Sequence, residues 1–294
     1  MDAYLTAIAI IALIYVLLSL GLTLQYGLTG LINFGHVGFF AIGAYASAIL
    51  ALNGVPIVLS FVAAAVLAGL AAWPIGLISL RLRDDYFAIV TLGFSEIVRL
   101  VITSEKWLTN GVQGLPGIPR LFGNLTGTTA QVAVLAVILA TVVVGAWMMR
   151  RISKSPFGRV LEGIRDNEEA IKALGKDPAR FKIQVLIVGS ALAGIAGAFY
   201  AHYITYIVPD QFIPLVTFYV WMAIIMGGVG RISGAILGTA LLMLFLEGSR
   251  FIRDVLPGIS EVEMASIRIG VVGLMLILFT LLRPQGLVGD YTRR

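Results

Sequence analysis

Long runs without a single Asp, Glu, Lys or Arg, among them residues 3–24, 131–149 and 183–207, constrain this chain more than any motif does. About 20 consecutive apolar residues make a helix long enough to cross the hydrocarbon of a bilayer. Inside that hydrocarbon the backbone must satisfy its own hydrogen bonds, which leaves helices and closed barrels. Barrel strands alternate apolar and polar residues over about ten positions, and these runs do not alternate. The expected fold class is therefore all-α integral membrane. With 59% hydrophobic and 13% charged residues among 294, little is left from which to build a soluble unit, so residues 1–294 are expected to form a single transmembrane domain. The 33 glycines suit close approach between helices. The absence of cysteine excludes disulfides and thiolate metal sites.

Taken in order, spans are expected at residues 3–24, 31–52, 57–80, 86–103, 131–149, 183–207, 212–226, 232–246 and 264–282. That is a polytopic bundle of about nine transmembrane helices, with about eight to ten allowed by the length of the chain. No Lys or Arg precedes residues 3–24 and no small-residue cleavage site follows them, so they are read as a span and not as a removable signal. A Gly-rich stretch at 26–30, the turn Asn53-Gly54-Val55-Pro56, the cations Arg81 and Arg83, and a Gly/Pro-rich loop at 110–119 punctuate the first half. The seventh and eighth spans are short and flank Gly227-Gly228-Val229-Gly230, a pattern that fits half-spans meeting inside the bilayer. Gly-rich openings at 35–44 and 228–238 fit an internal repeat, and they fit simple packing seams as well.

Residues 150–182 are the one long charged segment. They hold nine of the 21 Lys and Arg (Arg150, Arg151, Lys154, Arg159, Arg165, Lys172, Lys176, Arg180, Lys182) and the acids Glu162, Asp166, Glu168, Glu169 and Asp177. A basic loop between two spans lies on the cytoplasmic side. If the tail with Arg293 and Arg294 is also cytoplasmic, an even number of crossings lies between, Arg231 faces the cytoplasm and the N-terminus lies outside. Within the loop, residues 159–174 read as one short amphipathic helix, preceded by Pro156 and closed by Gly175 and Pro178. Val160, Leu161, Ile164, Ile171 and Leu174 supply an apolar stripe suited to docking in a soluble partner's groove. The net charge of +5 is mostly this insertion-related excess and is not read as nucleic-acid binding.

No Gly-x-x-x-x-Gly-Lys-Ser/Thr loop, His-Glu-x-x-His helix or Gly-x-Ser-x-Gly elbow occurs, and there are only two histidines. The chain is therefore not expected to hydrolyse ATP by the phosphate-loop route or to act as an intramembrane hydrolase. Polar groups within apolar spans are the remaining candidates, since a charge in hydrocarbon costs about 2.5 kcal/mol or more unless it is paired or hydrated. Glu96 and Arg99 are spaced to neutralise each other on one helix face. Asn33 and His36 flank Gly35 at the expected start of the second span, where backbone donors would suit a small polar solute. Asn33, His36, Thr91 and Glu96 are the candidate path-lining residues. His202, among Tyr200, Tyr203 and Tyr206, reads as part of an interfacial aromatic belt.

Glu169-Ala170-Ile171-Lys172-Ala173-Leu174-Gly175 resembles the Glu-Ala-Ala-x-x-x-Gly signature of bacterial ABC importer permeases, with Ile171 in place of the second Ala. The longer stretch 155–175 resembles branched-chain amino acid permeases of the Liv type. So do Asn33 to Tyr45, Tyr86 to Phe94, Gly111 to Pro119, Ser190 to Ala198, Gly227 to Gly230 and Arg283 to Leu287. The Tyr86 and Gly111 segments favour the LivM-like over the LivH-like branch. The resemblance implies that residues 150–182 form a cytoplasmic coupling loop, with Arg159, Arg165, Asp166, Asn167, Glu168, Glu169, Ala170 and Gly175 at the contact with an ATPase. It also implies a complex with a second, LivH-like permease, two cytoplasmic ATP-binding subunits that carry ATP-Mg, and a periplasmic solute-binding protein. This chain itself would hold no cofactor or metal and would sit in a bacterial inner membrane.

Two functions follow from these readings. One is a permease subunit of an ATP-driven importer for leucine, isoleucine or valine, with urea or short amides as alternative solutes. The other is a self-sufficient channel or secondary transporter that uses Glu96 as its ion site.

Overall fold

The computed structural model describes residues 2–79, 84–255, 261–282 and 285–288. Among the described residues the regular structure is helical, apart from one very short pairing of extended segments. The helices are α1 (Asp2–Leu22), α2 (His36–Leu52), α3 (Ile57–Ser79), α4 (Asp84–Ser104), α5 (Lys106–Thr109) and α6 (Gly127–Lys154), followed by α7 (Pro156–Asp166), α8 (Glu168–Ala173), α9 (Pro178–Ile204), α10 (Pro214–Gly227), α11 (Ile232–Val255) and α12 (Glu261–Leu282). Among the described residues, six helices are long and apolar enough to cross a membrane, and three shorter apolar ones cover His36–Leu52, Ile232–Gly248 and Ile269–Phe279. Arg81, Arg83, Arg283, Arg293 and Arg294, on which several topological expectations rested, lie outside the described residues.

α9 is the central helix and packs on α1, α2 and α3. Between helices in lipid, van der Waals contact replaces the hydrophobic drive, and small residues permit it. At the α2–α9 contact a Cβ built on Gly43 would collide with the backbone of Gly194, so the two backbones touch. Gly35 meets the Thr91 carbonyl of α4 equally closely. The second Gly-rich opening serves the same purpose, with Gly227 of α10 against Gly234 of α11.

Two expectations need correction. The second span starts at His36, not at residue 31, because α1 continues through a π-helical stretch (Thr23–Gly27) and residues 31–35 are non-helical. A π-helical stretch is rare and often marks a functional position. The helix of the eighth span runs past its expected end, α11 having 24 residues, while its apolar part, Ile232–Gly248, stays short as expected. The charges from Glu247 onward end its apolar part and not the helix. α10 has 14 residues, about 21 Å of rise, and with the 3-10 turn Pro209–Phe212 before it makes up Pro209–Gly227, one of the six segments long enough to cross. Leu115–Pro116 pairs antiparallel with Tyr206–Ile207, a two-residue contact that leaves the all-α class standing. This pairing ties the Gly/Pro-rich loop to the end of α9, helped by Tyr206 donating to the Gln113 carbonyl at 2.8 Å.

Candidate functional site

The charged segment folds as two helices, not the single one expected over 159–174. Ser155 caps α7, accepting from the Gly158 amide at 3.2 Å, and Pro156 occupies the first turn, where its missing N–H costs nothing. α7 ends because Asn167 leaves helical geometry (φ −160°, ψ 97°) and caps α8, its Oδ1 accepting from the Ala170 amide at 3.0 Å. Asn competes with the helix for its own backbone in this way and is a strong N-cap. Gly175 adopts φ +74° and closes α8.

The apolar stripe is largely spent within the chain. Leu161 and Ile164 are buried, while Leu174 is 74% exposed. Of the eight expected coupling residues, Arg159, Asp166, Asn167, Glu169, Ala170 and Gly175 are exposed, and the side chains of Arg165 and Glu168 are turned to partners in the bundle. Glu168 takes Lys182 of α9 at 2.7 Å and Lys172 at 3.3 Å. Partial burial opposes ionisation, yet the hydrogen bonds from Lys182 and Lys172 hold the Glu168 carboxyl below its usual range. Hydrogen bonds to Glu169 and Glu168 raise Lys172 above the usual lysine range.

Arg165 makes the long-range connection. Its Nη1 donates to the Gly27 carbonyl at 2.7 Å, at the end of the π-helical stretch, while Asp166 accepts from the same guanidinium at 3.2 Å. A Cβ on Gly230 would lie 3.4 Å from the Arg165 Nη1 and 3.2 Å from the Gly27 oxygen. The loop, the π stretch and the α10–α11 turn therefore meet at one end of the bundle. Residues 287 and 288 join them, since their amides donate to the carbonyls of Met226 and Gly227.

The four expected path residues fall into two groups. Asn33, His36 and Thr91 are completely buried. Phe34 donates its amide to Thr91 Oγ1 at 3.1 Å, which locks the loop before α2 onto α4. Asn33 donates to Gln25 Oε1 at 2.9 Å and accepts from the Gly35 amide, while its backbone carbonyl accepts from the Trp221 indole of α10 at 3.0 Å. His36 donates through Nε2 to the Leu18 carbonyl at 3.1 Å, and its buried Nδ1 has no hydrogen-bond partner. Glu96 is apart from these. It is held by Arg99 at 2.8 Å, and Arg99 lies 3.9 Å from Asp210.

Gln25 was missed. It is fully buried inside the π stretch, accepts from Asn33, and donates toward the Leu186 carbonyl (3.3 Å) and Ser190 Oγ (3.4 Å) of α9. It thus links α1, the loop before α2 and α9. An uncharged amide at the end of an apolar run looks like an ordinary interfacial residue; its one sequence signal is the nearby Asn33 in another apolar stretch. His202 is likewise not a belt residue. It is 1% exposed and stacks on Phe61. Its Nδ1 donates to the Pro119 carbonyl at 2.6 Å, which leaves Nε2 to accept from Ser47 at 2.9 Å.

The family described as branched-chain amino acid transport system, permease component, matches residues 4–280. The chain is 32% identical to the high-affinity branched-chain amino acid transport system permease protein LivM of Escherichia coli K12, over 96% of this chain and 69% of that one. The probable LivM permease protein of Methanocaldococcus jannaschii is 26% identical over 94% of this chain and 91% of its own. The LivH permease protein of the same Escherichia coli system is 24% identical, with the same two coverages. No solved structure matches. On sequence, helical architecture and apolar spans together, this chain is a multi-pass membrane protein that belongs to the branched-chain amino acid transport permeases and is LivM-like among them.

Proposed function

We propose that this chain is the LivM-like permease subunit of an ATP-driven importer for leucine, isoleucine and valine in a bacterial inner membrane. It forms one domain over residues 1–294 and crosses the membrane nine times. The N-terminus lies outside, and both the 150–182 loop and the C-terminus lie in the cytoplasm. Its partners are a LivH-like second permease, two ATP-binding subunits that carry the ATP-Mg, and a periplasmic solute-binding protein. The chain itself holds no cofactor, metal or ATPase site and binds no nucleic acid.

One observation carries the coupling half of this reading: the α7–α8 pair points its charged face to solvent while Arg165 reaches back to the Gly27 carbonyl. Asp166, Asn167, Glu169, Ala170, Leu174 and Gly175 form the outward face offered to the ATPase. Displacement of that face pulls on the π stretch through Arg165. Gln25 passes the movement to α9 and to Asn33, and through Asn33 to α10. Asn33, His36 and Thr91, fully buried in this conformation, then set the geometry of the path. Glu96 is occupied by Arg99 on its own helix, so nothing favours it as the ion site of a self-sufficient transporter.

Co-purification tests the outward face. With the whole importer expressed together, Asp166→Lys with Glu169→Lys should release the ATP-binding subunits and leave the second permease attached. Retention of both ATP-binding subunits at the wild-type ratio would refute the assignment.

A further inference from the structure

A cavity of about 540 Å³ opens between the end of α6, the π stretch and the start of α11, at the same end of the bundle as the charged loop. Three cations border it, Arg150 and Lys154 from α6 and Arg231 from the α10–α11 turn, and no carboxylate lines it among the described residues. Its other walls are mainly apolar and include Trp147, whose ring carries the Arg151 guanidinium 5.2 Å above its centroid. Thr23 also lines it. That side chain is 1% exposed, and its Oγ1 has no hydrogen-bond partner. A buried hydroxyl without a partner carries a desolvation cost that an incoming polar group would relieve.

Cations above and an apolar wall below select an amphiphile whose head is anionic. We propose that this cavity binds one anionic phospholipid, with its phosphate among Arg150, Lys154 and Arg231 within reach of Thr23, and its acyl chains along the apolar wall formed by α6 and α11. A lone inorganic phosphate would satisfy the cations and leave that wall bare. A zwitterionic lipid would bring its own cation into a site that already has three. The inference requires only that the chain spans a membrane, so it stands apart from the transport reading.

The test uses the full-length chain, freed of lipid in neutral detergent and titrated with phosphatidylglycerol, with phosphatidylcholine of the same chains, and with inorganic phosphate, followed by native mass spectrometry. The expected result is one tightly held phosphatidylglycerol per chain, no phosphatidylcholine at the same concentration, and no displacement by millimolar inorganic phosphate. Arg150→Gln with Lys154→Gln and Arg231→Gln should weaken phosphatidylglycerol by about a hundredfold, given about 1 kcal/mol for each surface cation. Removing three cations elsewhere, by Arg120→Gln with Lys176→Gln and Arg180→Gln, should leave it unchanged. Thr23→Val keeps every charge and should weaken the lipid by about fivefold, the loss of one hydrogen bond. Equal retention of phosphatidylcholine, displacement by inorganic phosphate, or unchanged affinity in either the triple cavity variant or Thr23→Val would overturn the proposal.

Discussion

At the scale of single residues, buried and half-buried polar groups join the charged loop and the helices through partners within the chain. Arg165 is the sharpest case, because it spans 138 positions of sequence to reach one backbone oxygen. A hydrogen bond to a charged group is worth about 1.5–3 kcal/mol, so Arg165→Ala should lower ATP-driven uptake while ATP-binding subunits still co-purify. If those subunits are lost in proportion to uptake, Arg165 belongs to the docking face and not to the internal link. Asn33→Ala would leave Gln25 Oε1 without its donor at about 1–3 kcal/mol, and should lower the midpoint of thermal unfolding in detergent. An unchanged midpoint would mean that the pair contributes nothing. The Glu96–Arg99 pair was legible from a three-residue spacing on one helix, since local geometry sufficed. Gln25 was not, because its partners lie 8 and more than 160 positions away and only the folded chain brings them together.

At the scale of elements, the coupling segment depends on how α8 is fastened. The depressed Glu168 carboxyl contributes stability above the ordinary glutamate range, and this is lost as pH falls through its lower folded value. The raised Lys172 works in the opposite sense: its contribution is present below the ordinary lysine range and lost as pH rises through its higher folded value. Amide exchange in residues 168–174, corrected for intrinsic rate, should therefore be slowest between these limits and rise first in acid. The same protection at acid pH as at neutrality would contradict the role of Glu168. The N-cap at Asn167 contributes on the order of 1 kcal/mol, so Asn167→Ala should raise exchange in α8 while leaving α7 protected. The existence of a helical segment here was legible from apolar spacing, Gly175 and Pro178. The break was not, because periodicity runs through Asn167 and only its side-chain bond to Ala170 interrupts it. Span ends behaved alike: hydropathy marked where α11 leaves the apolar region, and the helix itself continues in polar sequence.

On the scale of the whole molecule, the apolar runs gave the class correctly, because insertion in lipid is decided by composition over about 20 residues. The arrangement around α9 was not legible, since it depends on which small residues face each other. Gly194 against Gly43 is one such contact, and Gly43→Val should prevent the α2–α9 approach and yield little folded protein. A normal yield with an unchanged unfolding midpoint would show that the contact is looser than described. The central claim is that this chain conducts solute only when an ATPase drives the α7–α8 pair. Uptake of labelled leucine into proteoliposomes measures it directly, with the complete importer, the chain alone, and the importer carrying Asp166→Lys and Glu169→Lys compared at equal protein. Accumulation should require ATP on the side of the charged loop and occur only with the unmodified complex. Accumulation by the chain alone, or by the reversed-charge importer at the wild-type rate, would contradict the account.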